Sequence, residues 1–180
     1  LSDIGIESFH VRKSYESVSI KDCSNLKSIT YDDGCTRSGH FWGSNIKTIH
    51  FPKSLTVIQN SAFRETALEE LVLEQPSDVE CRIVGSAFMN HNLKKLHIKS
   101  GNYVFVDREN EGDNTSFEGS FEACDNLEEV IIDDGVYGKF QATFNRLFKD
   151  CTSLKKVRIP STFDVGYYMF SGCSSITELT

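Results

Sequence analysis

One frame of apolar residues recurs along almost the whole chain and constrains the fold more than any other feature. Three segments carry it: SFEACDNLEEVII from Ser120, LFKDCTSLKKVRI from Leu147 and MFSGCSSITELT from Met169, the last with isoleucine in place of leucine. Their shared pattern is F-x-x-C-x-x-L-x-x-[IVL]-x-[IL], and the segment from Ile20 fits it with isoleucine in place of phenylalanine. Three more segments fit after one deletion between Phe and Leu: FWGSNIKTIHF, FRETALEELVL and FMNHNLKKLHI. Such repetition predicts a stack of similar structural units.

The leucine of the frame gives each repeat an anchor. The anchors are Leu1, Leu26, Ile46, Leu68, Leu93, Leu127, Leu154 and Ile176. Most of their spacings lie in the range of about 20–29 residues that is typical of leucine-rich repeats. We therefore predict a single array over residues 1–180 with about seven to eight rungs and a long insert at about 100–119. Because the array has no recognisable polar cap at either end, we expect it to be part of a longer protein or to use an unusual cap at its ends.

Short strands are predicted after each anchor, where apolar and polar residues alternate as in a strand with one buried face. We expect adjacent parallel strands, in chain order, at 27–31, 47–51, 69–73, 94–98, 128–132 and 155–159. The A-F-x-x-C segments predict short helical turns that direct an aromatic ring inward. The alternating segment SLTVIQNSAF from Ser54 predicts a second wall behind the first.

The units LTVIQNSAF and F-x-x-C-x-x-L-x-x-V-x-I-P resemble the BspA-type leucine-rich repeats of bacterial surface proteins, which also occur in some parasitic protists. The resemblance covers nearly the whole chain. It implies a right-handed α/β leucine-rich-repeat solenoid that is rich in β-structure, with parallel strands on the concave face and short helical turns and strands elsewhere. It also implies an extracellular or cell-surface protein with a role in adhesion and in binding host matrix or cell-surface proteins.

Composition and motifs narrow the function classes. The net charge of −7, with no clustered basic surface, disfavours a nucleic-acid partner. No apolar run approaches the roughly 20 residues that a membrane-spanning helix needs, so we expect no membrane insertion. No catalytic triad order, nucleophile elbow, phosphate loop or dinucleotide fingerprint is present. The sequence therefore predicts a protein that is not an enzyme and needs no cofactor.

The outward position of the predicted strands forms a row, here called the outer row: Thr30, His50, Val72, His97, Ile131 and Arg158. Its mixture of apolar and cationic groups suits contact with a protein. We predict that this row, on the concave face, binds a protein partner. The alternative is a structural spacer that holds another domain away from a surface. Glycan binding is a weaker alternative, because Trp42 is the only tryptophan.

Charged pairs follow successive anchors with alternating sign: Glu69-Glu70, Lys94-Lys95, Glu128-Glu129 and Lys155-Lys156. In stacked parallel strands, each pair lies beside pairs of opposite charge, and opposite charges across strands stabilise a sheet. We predict that this alternation helps to set the register of the rungs.

The cysteines and histidines offer candidate metal ligands, which we weigh against structural roles. Four cysteines occupy the cysteine position of the repeated frame: Cys23, Cys124, Cys151 and Cys173. The other two, Cys35 and Cys81, lie outside that position. Without a C-x-x-C pair, zinc-site spacing is absent. We predict free thiols and no disulfide, because the frame cysteines should be small buried residues on successive rungs, and Cys35 and Cys81 lie about two rungs apart. His50 and His97 lie two rungs apart, roughly 9–10 Å, which is too far to share one metal ion.

The acidic insert matches part of a calcium-loop frame. Positions 1, 3, 5, 6 and 12 of that frame would be Asp107, Glu109, Glu111, Gly112 and Glu118. Because no flanking pair of amphipathic helices is visible, a solvated acidic loop is favoured over a calcium site. We expect this insert to be mobile and to contribute less to binding than the outer row. Two Asp-Asp-Gly segments, from Asp32 and from Asp133, are interpreted as turns.

Overall fold

Two sets of parallel strands on opposite sides of the repeats make up the fold. The structure, a computed structural model, describes residues 5–15, 17–106, 118–141 and 146–180. The first set, here called the front ladder, contains β1 (Ser8–Val11), β2 (Ser28–Tyr31), β3 (Thr48–Ile49), β5 (Glu70–Glu74), β7 (Lys95–Ser100), β9 (Glu129–Ile132), β11 (Lys156–Arg158) and β12 (Glu178–Leu179). The second set, the back sheet, contains β4 (Val57–Ile58), β6 (Glu80–Val84), β8 (Asn102–Val106) and β10 (Tyr137–Phe140).

The strand order shows how the repeats stack. From β3 to β11 the chain alternates between the front ladder and the back sheet. The strand orders are β5-β7-β9-β11-β12 in front and β4-β6-β8-β10 behind, all in parallel pairs. A single repeat cannot bury its own apolar face, so stacking joins these faces into one continuous core. The predicted parallel stacking is confirmed for these later strands, and the predicted second wall is the back sheet.

The front ladder is divided between β3 and β5. Strands β1, β2 and β3 form a three-stranded sheet, and β5 begins a separate five-stranded sheet. The prediction that 27–31 pairs with 47–51 is confirmed by the pairing of β2 with β3. The prediction that 47–51 pairs with 69–73 is wrong, because no strand pairing of the described residues joins these segments.

The phenylalanines of the frame lie in turns and point into the core. Their ring centroids follow one another at 5.3–5.7 Å with nearly parallel planes, in the order Phe41, Phe63, Phe88, Phe121, Phe148 and Phe170. We call this column the phenylalanine stack. The inward aromatic turns are confirmed, but no α-helix occurs in the described ranges, where the one helix is a 3-10 turn at Lys13–Tyr15. The fold is therefore a β-rich leucine-rich-repeat array whose repeats use turns where helical segments were expected.

Two boundaries differ from the sequence-based expectation. Ser8 lies opposite Ser28, so Ile6, and not Leu1, takes the position equivalent to the Leu26 anchor. Strand β8 lies within the expected insert at 100–119, yet it pairs with β6 along its whole length. Tyr103 and Phe105 of β8 are buried in the core. Residues 102–106 thus belong to the regular array.

The alternating charged pairs form ion pairs between neighbouring strands. Lys94 Nζ lies 2.7 Å from Glu69 Oε2, Lys95 Nζ lies 3.6 Å from Glu70 Oε1, and Lys155 Nζ lies 3.4 Å from Glu128 Oε2. The predicted juxtaposition of opposite charges is confirmed. Its role in setting the register stays a prediction.

Reversing the charge of Lys94 and Lys95 together to glutamate should lower the melting temperature, because six carboxylates on three neighbouring rungs would then repel one another. Salt should reduce this loss by screening exposed charges. Thermal unfolding at low and high ionic strength measures the effect. Lys53 and Lys99, which make no ion pair with another described residue, provide a control with the same net charge when changed to glutamate. An equal loss in both double variants would contradict a role in register.

Candidate functional site

Four members of the outer row lie side by side on adjacent strands. Val72 of β5 pairs in register with His97 of β7, His97 pairs with Ile131 of β9, and Ile131 pairs with Arg158 of β11. All four side chains alternate with buried neighbours, so they lie on the outward face of the front ladder. Val72 is 46% exposed although its side chain is apolar. The four residues form one continuous outward surface held by backbone pairing.

The other two predicted row members stand apart from this group. Thr30 lies on β2, where its register partner is His10 of β1. His50 is exposed and follows the last residue of β3. The division between β3 and β5 separates both residues from Val72. The outer row is therefore interrupted, with Thr30 and His50 on one side and the group of four on the other.

Carboxylates from the turn after β9 contact the cationic members of the row. Asp133 Oδ2 lies 2.9 Å from His97 Nε2, and Asp133 Oδ1 lies 3.4 Å from Arg158 Nη1. Asp134 Oδ2 accepts a hydrogen bond from Arg158 Nη2 at 3.1 Å. Gly135, which closes this turn, has a φ of +86°, as expected for a glycine turn position. These aspartates hold the His97 and Arg158 side chains over the strand surface, a role that the turn interpretation missed.

A similar cluster lies at the other end of the front ladder. His10 contacts Thr30 Oγ1 through Nδ1 at 2.8 Å and Asp32 Oδ1 through Nε2 at 2.6 Å. The hydrogen bond from His10, followed by one from the backbone N–H of Lys13, lowers the pKa of Asp32. His10 was missed because the first repeat was placed five residues too early. Aligning the repeat on Ile6 would have placed His10 beside Thr30.

A comparison with protein-family models identifies the repeat. The family model for the BspA type leucine rich repeat region matches six copies, over residues 2–110 and 113–180. The chain belongs to this BspA-type family. Among curated proteins, none has a matching sequence. A crystal structure of a leucine-rich repeat protein from Bacteroides ovatus ATCC 8483 is similar to the chain with a TM-score of 0.47 and 15% sequence identity. The alignment covers 97% of this chain and 55% of that one, so the chain spans about half of its length.

Three frame cysteines donate hydrogen bonds from their thiols to carbonyl groups of the preceding repeat. Cys124 Sγ donates to the Phe88 carbonyl at 3.3 Å, and Cys151 Sγ donates to the Phe121 carbonyl at 3.2 Å. Cys173 Sγ donates to the Phe148 carbonyl at 3.0 Å. The thiol thereby satisfies a backbone carbonyl beside the phenylalanine stack. This bond explains a cysteine at the frame position better than metal binding does.

Burial also makes these thiols poor nucleophiles. Burial raises the pKa of the Cys81 thiol to about 12. The neighbouring Cys124 thiol, together with burial, raises the pKa of Cys151. Because the thiolate is the reactive form, a raised pKa suppresses reaction at neutral pH.

We expect six free thiols in denatured, non-reduced protein. In the folded protein, Cys173 should be the first thiol to react with a thiol reagent because it is the least buried, although the neighbouring Cys151 thiol and burial raise its pKa and slow the reaction. Counting released chromophore before and after denaturation measures both the early reaction and the total. Cys173→Ser should remove the early phase, whereas Cys81→Ser should leave it unchanged. Four or fewer thiols after denaturation would reveal a disulfide.

The other sequence candidates have different outcomes. Of the five residues in the calcium-loop frame, four lie outside the described residues, and Glu118 accepts a hydrogen bond from Arg64 at 3.0 Å. In the described ranges, no group of three or more histidine, cysteine or acidic side chains is placed to hold a metal ion. The same ranges contain no helix with the length and apolar character needed to cross a membrane.

Proposed function

We propose that this BspA-type repeat protein binds another protein through the outer row of its front ladder. The supporting observation is the in-register alignment of Val72, His97, Ile131 and Arg158 on four adjacent strands. Side chains fixed on paired strands lose little conformational entropy on binding. The row also contains Arg158, and arginine is enriched in binding hot spots.

The family membership supports a wider biological setting for this binding. BspA-type repeats are typical of secreted and surface proteins, and we propose an adhesive role outside the cell or on its surface. The partner class that we propose is a host matrix or cell-surface protein. The chain would act as one segment of a longer binding surface, because repeat arrays extend their surface with each added rung.

Binding to a panel of immobilised matrix and cell-surface proteins tests this proposal. A triple variant, Val72→Ser, Ile131→Ser and Arg158→Ala, should weaken capture about a hundredfold or more, because hot-spot residues dominate the affinity. The matched control changes exposed residues on the back side: Tyr137→Ser, Val165→Ser and Lys139→Ala. A chain that lacks residues 108–117 should keep its binding.

The outcomes separate the proposal from its alternatives. Loss of binding on deletion of 108–117, with normal binding by the row variant, would place the site in the acidic segment. Equal loss in the row and back variants would indicate general destabilisation. No capture of any panel protein by the wild-type chain would favour the structural spacer, a function that the intramolecular pairing of Arg158 with Asp133 and Asp134 also permits.

A further inference from the structure

A local opening separates two neighbouring strands of the front ladder. No backbone hydrogen bond of the described residues joins 47–51 to 69–73. The equivalent segments of the neighbouring repeats are joined by such bonds. Lys47 N, for example, donates to Lys27 O at 2.8 Å, and Lys94 N donates to Glu69 O at 2.8 Å. A groove of about 460 Å³ lies between the two segments and is lined by both. We call this groove the front gap.

Both sides of the front gap are strand edges with backbone groups directed into it. Thr48 N and His50 N donate to the carbonyls of Lys27 and Ile29 in the preceding repeat. Because backbone groups alternate along a strand, the N–H and C=O of Ile49 then face the gap. On the opposite side, Lys94 N and Lys95 N donate to Glu69 O, which places the N–H and C=O groups of Glu70 and Val72 toward the gap. Two parallel strand edges therefore face each other without bonding.

The two repeats remain joined elsewhere, so the opening is confined to the front. Phe41 N donates to Ala62 O at 2.6 Å in the turns, and Ser38 N donates to Val57 O at 3.1 Å at the back. Phe51 lies beside the opening, at a frame position that smaller residues such as Leu73 take in later repeats. Its ring meets the Phe63 ring edge-on at 5.5 Å, and an edge-on ring needs more width than an aliphatic side chain.

We propose that the front gap binds an extended peptide strand, which inserts between β3 and β5 and bonds to the edges of both. Strand addition to an open sheet edge is a general mode of peptide recognition, in which the main chain provides affinity and alternate side chains provide specificity. An inserted strand would hold β3 and β5 at two strand spacings, about 9.6 Å. The main chain of Ile49, Glu70 and Val72 would provide the bonds.

The side chains around the front gap indicate which residues the inserted peptide should contain. Ile49 and Leu71 lie on the inner face, so the residue between them should be aliphatic. On the outer face, Lys47 and His50 are exposed on the β3 side, and neither lies within ion-pair distance of a described carboxylate. The hydrogen bond from Lys94, and after it the charge of Lys47, helps to lower the pKa of Glu69, which lies across the gap from Lys47. Glu69 and Glu70 across the gap are already paired with Lys94 and Lys95. We therefore assign the peptide an acidic residue on either side of the aliphatic one.

This proposal does not depend on binding by the outer row, because it rests on main-chain groups within the gap. Amide hydrogen exchange of the free protein tests the opening itself. The Glu70 and Val72 amides should exchange at least about tenfold faster than the Leu71 amide, which faces β7. Equal protection of all three amides would show that the gap is closed in solution and would overturn the proposal.

A labelled heptapeptide of alternating glutamate and valine tests the occupant by fluorescence anisotropy. Binding should slow exchange at Glu70 and Val72, and methylation of the peptide amides that face the edges should weaken it about tenfold or more. Lys47→Glu should also weaken it. No binding of the unmethylated peptide, or equal binding of the methylated one, would overturn the proposal.

A comparison of Val72→Pro with Val72→Ala separates the effect of the backbone N–H of residue 72 from the effect of its side chain. Both variants lose the valine side chain, but only proline removes the N–H that faces the gap, and proline is tolerated at a strand edge. The peptide should bind Val72→Ala and lose binding to Val72→Pro, with circular dichroism confirming that both are folded. Equal peptide binding by the two variants would overturn the proposal. A partner protein that binds the outer row should be weakened by both, so the two proposals can fail separately.

Discussion

Replacing Phe121 with alanine should lower the free energy of unfolding by about 3–5 kcal/mol, the largest loss that we expect from a single substitution in this chain. Phe121 is fully buried in the phenylalanine stack, with its ring centroid 5.3 Å from that of Phe88 and 5.6 Å from that of Phe148. Removal of the ring leaves a cavity between two repeats and breaks both ring contacts. Urea denaturation followed by circular dichroism measures the change.

An exposed aromatic provides the control for Phe121. Tyr167 is 95% exposed, so Tyr167→Ala should leave the denaturation midpoint almost unchanged. Phe121→Leu should fall between the two, because leucine fills part of the cavity. A denaturation midpoint for Phe121→Ala close to that of Tyr167→Ala would show that the phenylalanine stack does not stabilise the contact between these repeats.

Gly138→Ala should destabilise the back sheet by about 1–3 kcal/mol through overpacking. Gly138 lies on β10, and a Cβ added there would overlap the ring of Phe163. That ring is itself buried, with its centroid 5.7 Å from that of Phe105 and 6.2 Å from that of Phe140, so it has little room to move. Urea denaturation again measures the loss.

A second substitution tests the cause of that loss. Phe163→Leu removes the ring that would overlap the new Cβ. The double variant Gly138→Ala with Phe163→Leu should therefore be more stable than the sum of the two single losses predicts. Strict additivity of the two losses would contradict the steric explanation.

The parts of the fold that the sequence predicts are those that each repeat specifies locally. The anchor leucine, the alternating strand after it and the inward phenylalanine recur in every full copy of the frame. Leu127 and Phe121 of one copy, and Leu154 and Phe148 of the next, are all buried as that frame requires. Parallel order follows because each repeat can bury its apolar face only against the next.

The missed features depend on contacts between repeats. The sequence predicts an insert where β8 lies, because the apolar residues of β8 do not alternate with polar ones. In the structure, Val104 and Val106 are buried together with Tyr103 and Phe105. A strand that is covered on both faces lacks the alternation by which a half-exposed strand is recognised.

The front gap and the aspartate contacts were missed for a similar reason. The segment from Ile46 to Phe51 follows the same pattern as its neighbours, so nothing local distinguishes an edge from a paired strand. Phe51 matters only because the Phe63 ring of the next repeat lies against it. Likewise, Arg158 meets Asp133 only once the two repeats are in register.

The most direct measurement of recognition by the outer row is an NMR titration of the isotope-labelled chain with a partner identified in the binding panel. The proposed function predicts amide shift changes concentrated on β5, β7, β9 and β11, at and around Val72, His97, Ile131 and Arg158. The amides of the back sheet should keep their positions. Shift changes confined to β6, β8 and β10, with the four outer-row amides unchanged, would contradict recognition by the front ladder.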